Sequence, residues 1–160
     1  MRKWFMSVLA MVAVTQVASA QITANAKGAS AQGSKTLVGA WFITVTPTLV
    51  PAFVSVGTFS SDGTQTNISS VSLGFPPESP GYGVWEKTGH HTFASTFVTV
   101  LSDGAGNFAG TNKVRATLTV SPTGDEIDGI FRVDVFDPGG TLIVFDTGSV
   151  QGTRIKVEPL

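Results

Sequence analysis

Hydrophobic and polar residues alternate along the second half of the chain. One face of an extended strand would carry Val114, Ala116, Leu118 and Val120, and the other face would carry Lys113, Arg115, Thr117 and Thr119. In the same way, Ile127, Phe131, Val133 and Val135 alternate with Glu126, Asp128, Arg132 and Asp134. A period of two over so many positions predicts strands that have one buried face and one wet face.

From residue 37 onward, turn residues divide the chain into short runs rich in Val, Phe, Thr and Ile. The clusters between the runs contain Gly, Asp, Asn and Pro, which are the residues that tight turns favour. The predicted strands cover residues 38–46, 52–60, 64–72, 83–86, 92–101, 108–120, 126–136 and 141–151. The last four are joined by connections short enough for hairpins, which predicts an up-and-down meander.

These patterns predict an all-β protein, an antiparallel up-and-down β-barrel of about eight strands. Barrel closure removes the sheet edges that strands rich in Thr and Val would otherwise expose. A β-sandwich is the alternative architecture. No long window beyond the N-terminal segment shows a helical period with capping residues, so helices are not expected to contribute to the domain.

The first 20 residues have the layout of a signal peptide. Arg2 and Lys3 precede an apolar run, and Ala18-Ser19-Ala20 matches a small-residue cleavage site. We therefore expect cleavage after Ala20 and a secreted protein, periplasmic or extracellular, and the lack of cysteine favours a bacterial source. Residues 21–36 are predicted to form a flexible leader, followed by a barrel domain over residues 37–160.

Charge and composition exclude several classes of partner. Removal of Arg2 and Lys3 would change the formal net charge from −1 to −3, and the remaining basic residues are scattered. Nucleic acid is therefore not an expected partner, because phosphate binding needs clustered Lys and Arg. No later apolar run is long enough for stable membrane insertion. The only histidines, His90 and His91, would point to opposite strand faces, so neither a metal site nor a cofactor is predicted.

Gly39-Ala40-Trp41 in the first predicted strand resembles the G-x-W motif of the lipocalins and the wider calycin barrels. In that pattern the tryptophan closes the barrel floor, and a basic residue from the region after the last strand packs across its ring. Arg154 stands at that place here. The resemblance implies a barrel that holds a small ligand in its lumen. Small barrels of the allene oxide cyclase and dirigent type fit the strand count as well, and some of them are cyclases.

The residues predicted to line a ligand cavity are Trp85, Phe93, Phe97, Phe131 and Val133. Trp85 is close in sequence to the proline-rich segment 76–80, which we expect to form the cavity entrance. The other four lie on apolar strand faces. Because the same residues would fill a solid core, a structural or interaction module without a cavity is an alternative.

The leading functional hypothesis is a secreted binding protein that holds a small, largely apolar ligand in its barrel. The alternative from another class is a barrel enzyme of the cyclase or isomerase type, in which Glu86 or His91 moves a proton. An ionisable group facing an apolar lumen would favour the enzyme. No catalytic motif assigns a catalytic residue. A last possibility is that the polar strand face, with Arg115, Arg132 and Asp134, points inward around a polar ligand.

Overall fold

The computed structural model describes residues 36–73 and 77–160. The predicted signal peptide, all but the last residue of the predicted leader, and Pro76 lie outside the described residues. The strands are β1 (Gly39–Pro47), β2 (Phe53–Phe59), β3 (Thr64–Ser69), β4 (Gly81–Lys87), β5 (Thr92–Ser102), β6 (Phe108–Val120), β7 (Glu126–Phe136) and β8 (Leu142–Arg154), with a 3₁₀ helix at Ser70–Leu73. Among these described residues, no helix has the length and apolar character needed to cross a membrane.

Each strand pairs antiparallel with the next, and β8 pairs with β1 to close an eight-stranded barrel. The prediction of an all-β up-and-down barrel is confirmed, and the β-sandwich alternative is wrong. The closing pair aligns Trp41 with Arg154 and Val45 with Val150. Because every strand is paired on both sides, the registers of the pairs fix the position of each residue along the barrel axis. Each inward side chain therefore lies nearer to one end of the barrel or to the other.

Several observed strand bounds differ from the predicted ones: β3 ends at Ser69, where the 3₁₀ helix begins, and in β4 glycine hides the strand pattern. β4 begins at Gly81 rather than at residue 83, and its inward positions Gly81 and Gly83 carry no side chain. A Cβ on Gly83 would lie 2.0 Å from the Thr96 carbonyl oxygen, so the close approach of β4 to β5 requires glycine there. β8 continues to Arg154 because it pairs with β7 on one side and β1 on the other.

The polar strand face lies on the outside of the barrel, so the alternative that placed it inward is wrong. Arg115 and Arg132 are half-exposed and both contact the carboxylate of Asp134, with the Arg132 Nε at 2.7 Å. The Arg132 guanidinium also lies 4.1 Å from the centre of the Phe145 ring. Burial raises the pKa of Asp134, but the hydrogen bond and charge of Arg132, together with Arg115, outweigh it and the pKa is lowered.

Trp41 closes one end of the barrel. Its side chain is fully buried, and its indole Nε1 donates a hydrogen bond of 2.8 Å to the Leu37 carbonyl oxygen. The Arg154 guanidinium lies 4.2 Å from the centre of the indole ring, which confirms the predicted pair. The same guanidinium donates to three backbone carbonyls, those of Thr36, Val38 and Gly124. We call this the closed end.

Candidate ligand-binding cavity

The half of the barrel away from Trp41 contains a cavity of about 550 Å³. This volume lies within the range of roughly 300–1,000 Å³ that is usual for small-molecule sites. Its wall is mainly apolar, and the apolar lining includes Ile43, Val45, Phe53, Phe97, Val114, Leu118, Phe131, Val133, Val135 and Val150. Below it, the buried core of the closed end forms a floor.

Three of the five predicted site residues line this cavity: Phe97, Phe131 and Val133. Trp85 and Phe93 are not part of its lining and instead pack in the closed end, with their ring centres 5.7 Å apart. The indole Nε1 of Trp85 donates to the Ser60 carbonyl oxygen at 3.0 Å. β4 starts at the cavity mouth with Gly81, and Trp85 lies four residues further along, roughly 13 Å away at strand spacing. Trp85 is therefore far from the proline-rich segment.

The loop between β1 and β2 covers part of the cavity mouth. Leu49 and Val50 of this loop line the cavity, and both are more than half exposed. Asp146 holds the loop in place: one carboxylate oxygen accepts from the Thr48 hydroxyl, and the other accepts from the Leu49 N–H at 3.1 Å. The hydrogen bond from the Thr48 hydroxyl is the main cause of the lowered pKa of Asp146, and desolvation opposes it.

The described part of the proline-rich segment, residues 77–80, runs beside the end of β5. The Ser79 N–H donates to the Val100 carbonyl oxygen at 2.9 Å, and the Ser102 N–H donates to the Pro77 carbonyl oxygen at 3.0 Å. Glu78 forms an isolated bridge with Leu101 between these two hydrogen bonds. This backbone pairing fixes Glu78 at the cavity mouth, where its side chain joins the lining.

The Glu78 carboxylate belongs to a polar cluster in the lumen. Its Oε1 accepts a hydrogen bond from the Thr99 hydroxyl and one of 3.0 Å from the Asn112 Nδ2. Thr99 is 3% exposed, and it is the cross-strand partner of Asn112 in the β5–β6 pair. Because both neighbours donate, Glu78 serves as a hydrogen-bond acceptor. Strands β5 and β6 therefore position an acidic group in a pocket whose wall is mainly apolar.

Sequence reasoning missed Glu78, although one signal pointed to it. Between Asp62 and Glu86 it is the only charged residue. An acidic residue in a neutral, proline-rich stretch has no oppositely charged neighbour in sequence. Its hydrogen-bond partners are therefore expected to come from segments that are distant in sequence. The local pattern contained no information on which strands would surround it.

A second polar pair lies deeper in the cavity. The Ser95 hydroxyl donates to the Gln65 Oε1 at 2.7 Å, and both side chains are almost fully buried. Ser55, also in the lining, donates to the Ile68 carbonyl oxygen at 3.0 Å. Strands β2, β3 and β5 thus supply polar groups to one wall. The inward residues of β6 below Asn112 and those of β7 are apolar on the opposite wall.

The two residues considered for proton transfer do not reach this cavity. Glu86 is exposed on β4, and His91 is half-buried before β5, with its ring centre 4.2 Å from that of His90. Neither is part of the cavity lining. Within the described ranges, no group of three or more His, Cys, Asp or Glu side chains is placed to hold a metal ion.

Comparison with known proteins gives no further assignment. No family model matches the chain, and searches of curated proteins and of solved structures found no match to it. The function of the cavity has to be inferred from its own geometry.

Proposed function

We propose that the protein is a secreted binding protein that holds one small, largely apolar molecule in the lumen of its barrel. The observation that carries the proposal is the cavity of about 550 Å³ with a mainly apolar wall. The export part of the proposal rests on the signal-peptide pattern of residues 1–20. The lipocalin-like part rests on the closed eight-stranded barrel and on the contact between Trp41 and Arg154.

A solid structural module would not leave this space. Protein interiors are packed as densely as organic crystals and contain few voids larger than a water molecule. Here small residues occupy inward positions that larger ones could fill, among them Gly57 and Ala116. A Cβ on Gly57 would meet only ordinary contacts, the nearest at 3.5 Å to the Ile43 Cδ1. Packing therefore does not require glycine at this position, which supports a lumen kept open for a ligand.

Filling the lumen tests the proposal. Ala116 points into the cavity from the middle of β6, whereas Thr117, the next residue, is exposed. We expect Ala116→Phe to weaken binding of the neutral fluorescent compound N-phenylnaphthylamine by at least about tenfold, or about 1.4 kcal/mol. The matched control, Thr117→Phe, should change the affinity by less than about twofold. Equal binding by both variants, or no binding by the unaltered protein, would contradict the proposal.

The natural ligand can be sought with the same pair of variants. Protein purified from its own host is analysed by native mass spectrometry, and the released compounds are identified after denaturation. We expect a stoichiometric apolar compound with the unaltered chain and with Thr117→Phe, and a loss of that compound with Ala116→Phe. The same spectra test cleavage after Ala20.

A barrel enzyme is the second candidate, because Glu78 is an ionisable group in a mainly apolar lumen. A carboxylate with an oxygen left to accept a proton from a bound compound can act as a general base, and the Thr99 and Asn112 donors both bind Oε1. This alternative predicts that the bound compound is converted, and that Glu78→Gln stops the conversion while the compound still binds. Recovery of the compound unchanged after incubation with the unaltered protein would exclude it.

A further inference from the structure

We propose that the cavity selects an apolar amine whose ammonium group is held by Glu78. The inference rests on the proposed binding function and adds the chemical class of the ligand. The charged residues in the cavity lining are Glu78 and Asp146, and within the described part of the chain no Lys, Arg or His lines it. The electrostatic field of the lumen is therefore set by carboxylates.

The two carboxylates differ in how far they are already engaged. Both oxygens of Asp146 accept hydrogen bonds from the loop that follows β1. In contrast, the donors that reach Glu78 within residues 36–73 and 77–160, Thr99 and Asn112, both bind its Oε1. The Oε2 atom of Glu78 thus keeps its capacity to accept from a ligand.

Asn112 helps to fix the Glu78 carboxylate in the lumen. Its Nδ2 donates to the Glu78 Oε1, while its own Oδ1 is buried and has no hydrogen-bond partner in the described structure. Because that Oδ1 is not accessible from the cavity, the acceptor left for a ligand at this point is the Glu78 Oε2. An ammonium group carries three donors and no acceptor, which matches this open carboxylate oxygen.

Charge distinguishes an amine from other amphiphiles. A partly buried carboxylate without a cationic partner favours a bound cation and disfavours a bound anion. A hydroxyl group can donate to the same carboxylate oxygen, but a charge-assisted hydrogen bond is about twice as strong as a neutral one. With its nitrogen at Glu78, the ligand's hydrocarbon chain would extend from the mouth towards Phe131 and Leu118.

The test compares dodecylamine, dodecanol and dodecanoate, which share a chain and differ in the head group. Each displaces N-phenylnaphthylamine from the full-length protein near neutral pH. We expect dodecylamine to bind at least about tenfold more tightly than dodecanoate. Glu78→Gln keeps an oxygen that accepts from Thr99 and Asn112 but removes the charge, so it should abolish the preference for dodecylamine over dodecanoate. Glu86→Gln, at an exposed position outside the cavity, is the matched control and should retain the preference.

The outcomes separate this inference from the function on which it depends. If dodecanol and N-phenylnaphthylamine bind but dodecanoate binds as tightly as dodecylamine, the binding function stands and the amine proposal is wrong. The proposal is also wrong if Glu78→Gln retains the preference for dodecylamine. If the unaltered protein binds none of the four compounds, both the binding function and the amine specificity are overturned.

Discussion

Removal of the Trp41 side chain is expected to be among the most destabilising changes in the barrel. The ring is completely buried, it packs in the core of the closed end, and it lies against the guanidinium of Arg154. The substitution Trp41→Ala removes these contacts and leaves the Leu37 carbonyl oxygen without the indole donor. It also leaves the Arg154 guanidinium without its aromatic partner.

The expected loss is about 3–5 kcal/mol, the usual cost of replacing a buried Phe or Trp by Ala. The lost hydrogen bond from the indole to the Leu37 carbonyl oxygen accounts for about 1 kcal/mol of this loss. Small domains are stable by only about 5–15 kcal/mol, so this is a large fraction of the total. At about 4 °C per kcal/mol for a domain of this size, Tm should fall by roughly 12–20 °C.

Urea unfolding followed by far-ultraviolet circular dichroism measures the effect without relying on tryptophan fluorescence. The control is Phe42→Ala at the adjacent position, where the side chain is 47% exposed and the expected loss is under about 1 kcal/mol. Equal urea midpoints for Trp41→Ala and Phe42→Ala would refute the argument. If Trp41→Ala does not fold, Trp41→Phe replaces it and should lose about 1–2 kcal/mol, since it keeps a ring but not the hydrogen bond.

Two further changes test the strand contacts and the outer surface. Gly83→Ala places a Cβ 2.0 Å from the Thr96 carbonyl oxygen and should lower the free energy of unfolding by about 1–3 kcal/mol. Gly139→Ala is the control, because its Cβ meets no atom nearer than 3.3 Å. Equal urea midpoints for the two variants would contradict this expectation. The pKa of Asp134 is lowered in the folded state, so its stabilising effect is present above pH 3.8 and is lost as the pH falls below that value. The urea midpoint of Asp134→Asn should therefore lie below that of the unaltered protein near neutral pH, and the difference should shrink at about pH 3; a constant difference would show that Arg132 does not act through charge.

The meander of β5 to β8 could be predicted from the sequence because the alternation of its strands and the residues of its turns are local features. The bounds of β6 and β7 match the predicted ranges, since alternation covers residues 113–120 and most of β7, and turn residues bound both strands. Gly124 and Gly140 occur in the predicted connections and adopt a φ of 82°, a conformation that L side chains rarely adopt. Strong local periodicity and turn chemistry were sufficient for this half of the fold.

The position of the cavity could not be predicted in the same way. Alternation shows which residues share a strand face, but their height in the barrel depends on the pairing of strands that are distant in sequence. Phe93 and Phe97 are four residues apart on one strand and share one face, yet Phe93 packs in the closed end and Phe97 lines the cavity. Trp85 was expected beside the cavity entrance because the predicted β4 began at residue 83. The strand begins at Gly81, so Trp85 lies further from the proline-rich segment and packs in the closed end.

The closed barrel explains how one domain can be both stable and hollow. Small or polar inward residues are interspersed among large ones towards the mouth: on β5, Ser95 and Thr99 flank Phe97, and on β2, Gly57 and Ser55 lie between Phe59 and Phe53. Core packing, the ring of Trp41 and the contacts of Arg154 are concentrated in one half. In the other half, small residues such as Gly57, Ser95 and Ala116 between the larger ones leave space for a ligand. Variants that change the cavity wall should therefore alter binding more than they alter folding, which makes Glu78 and Ala116 the informative positions for testing function.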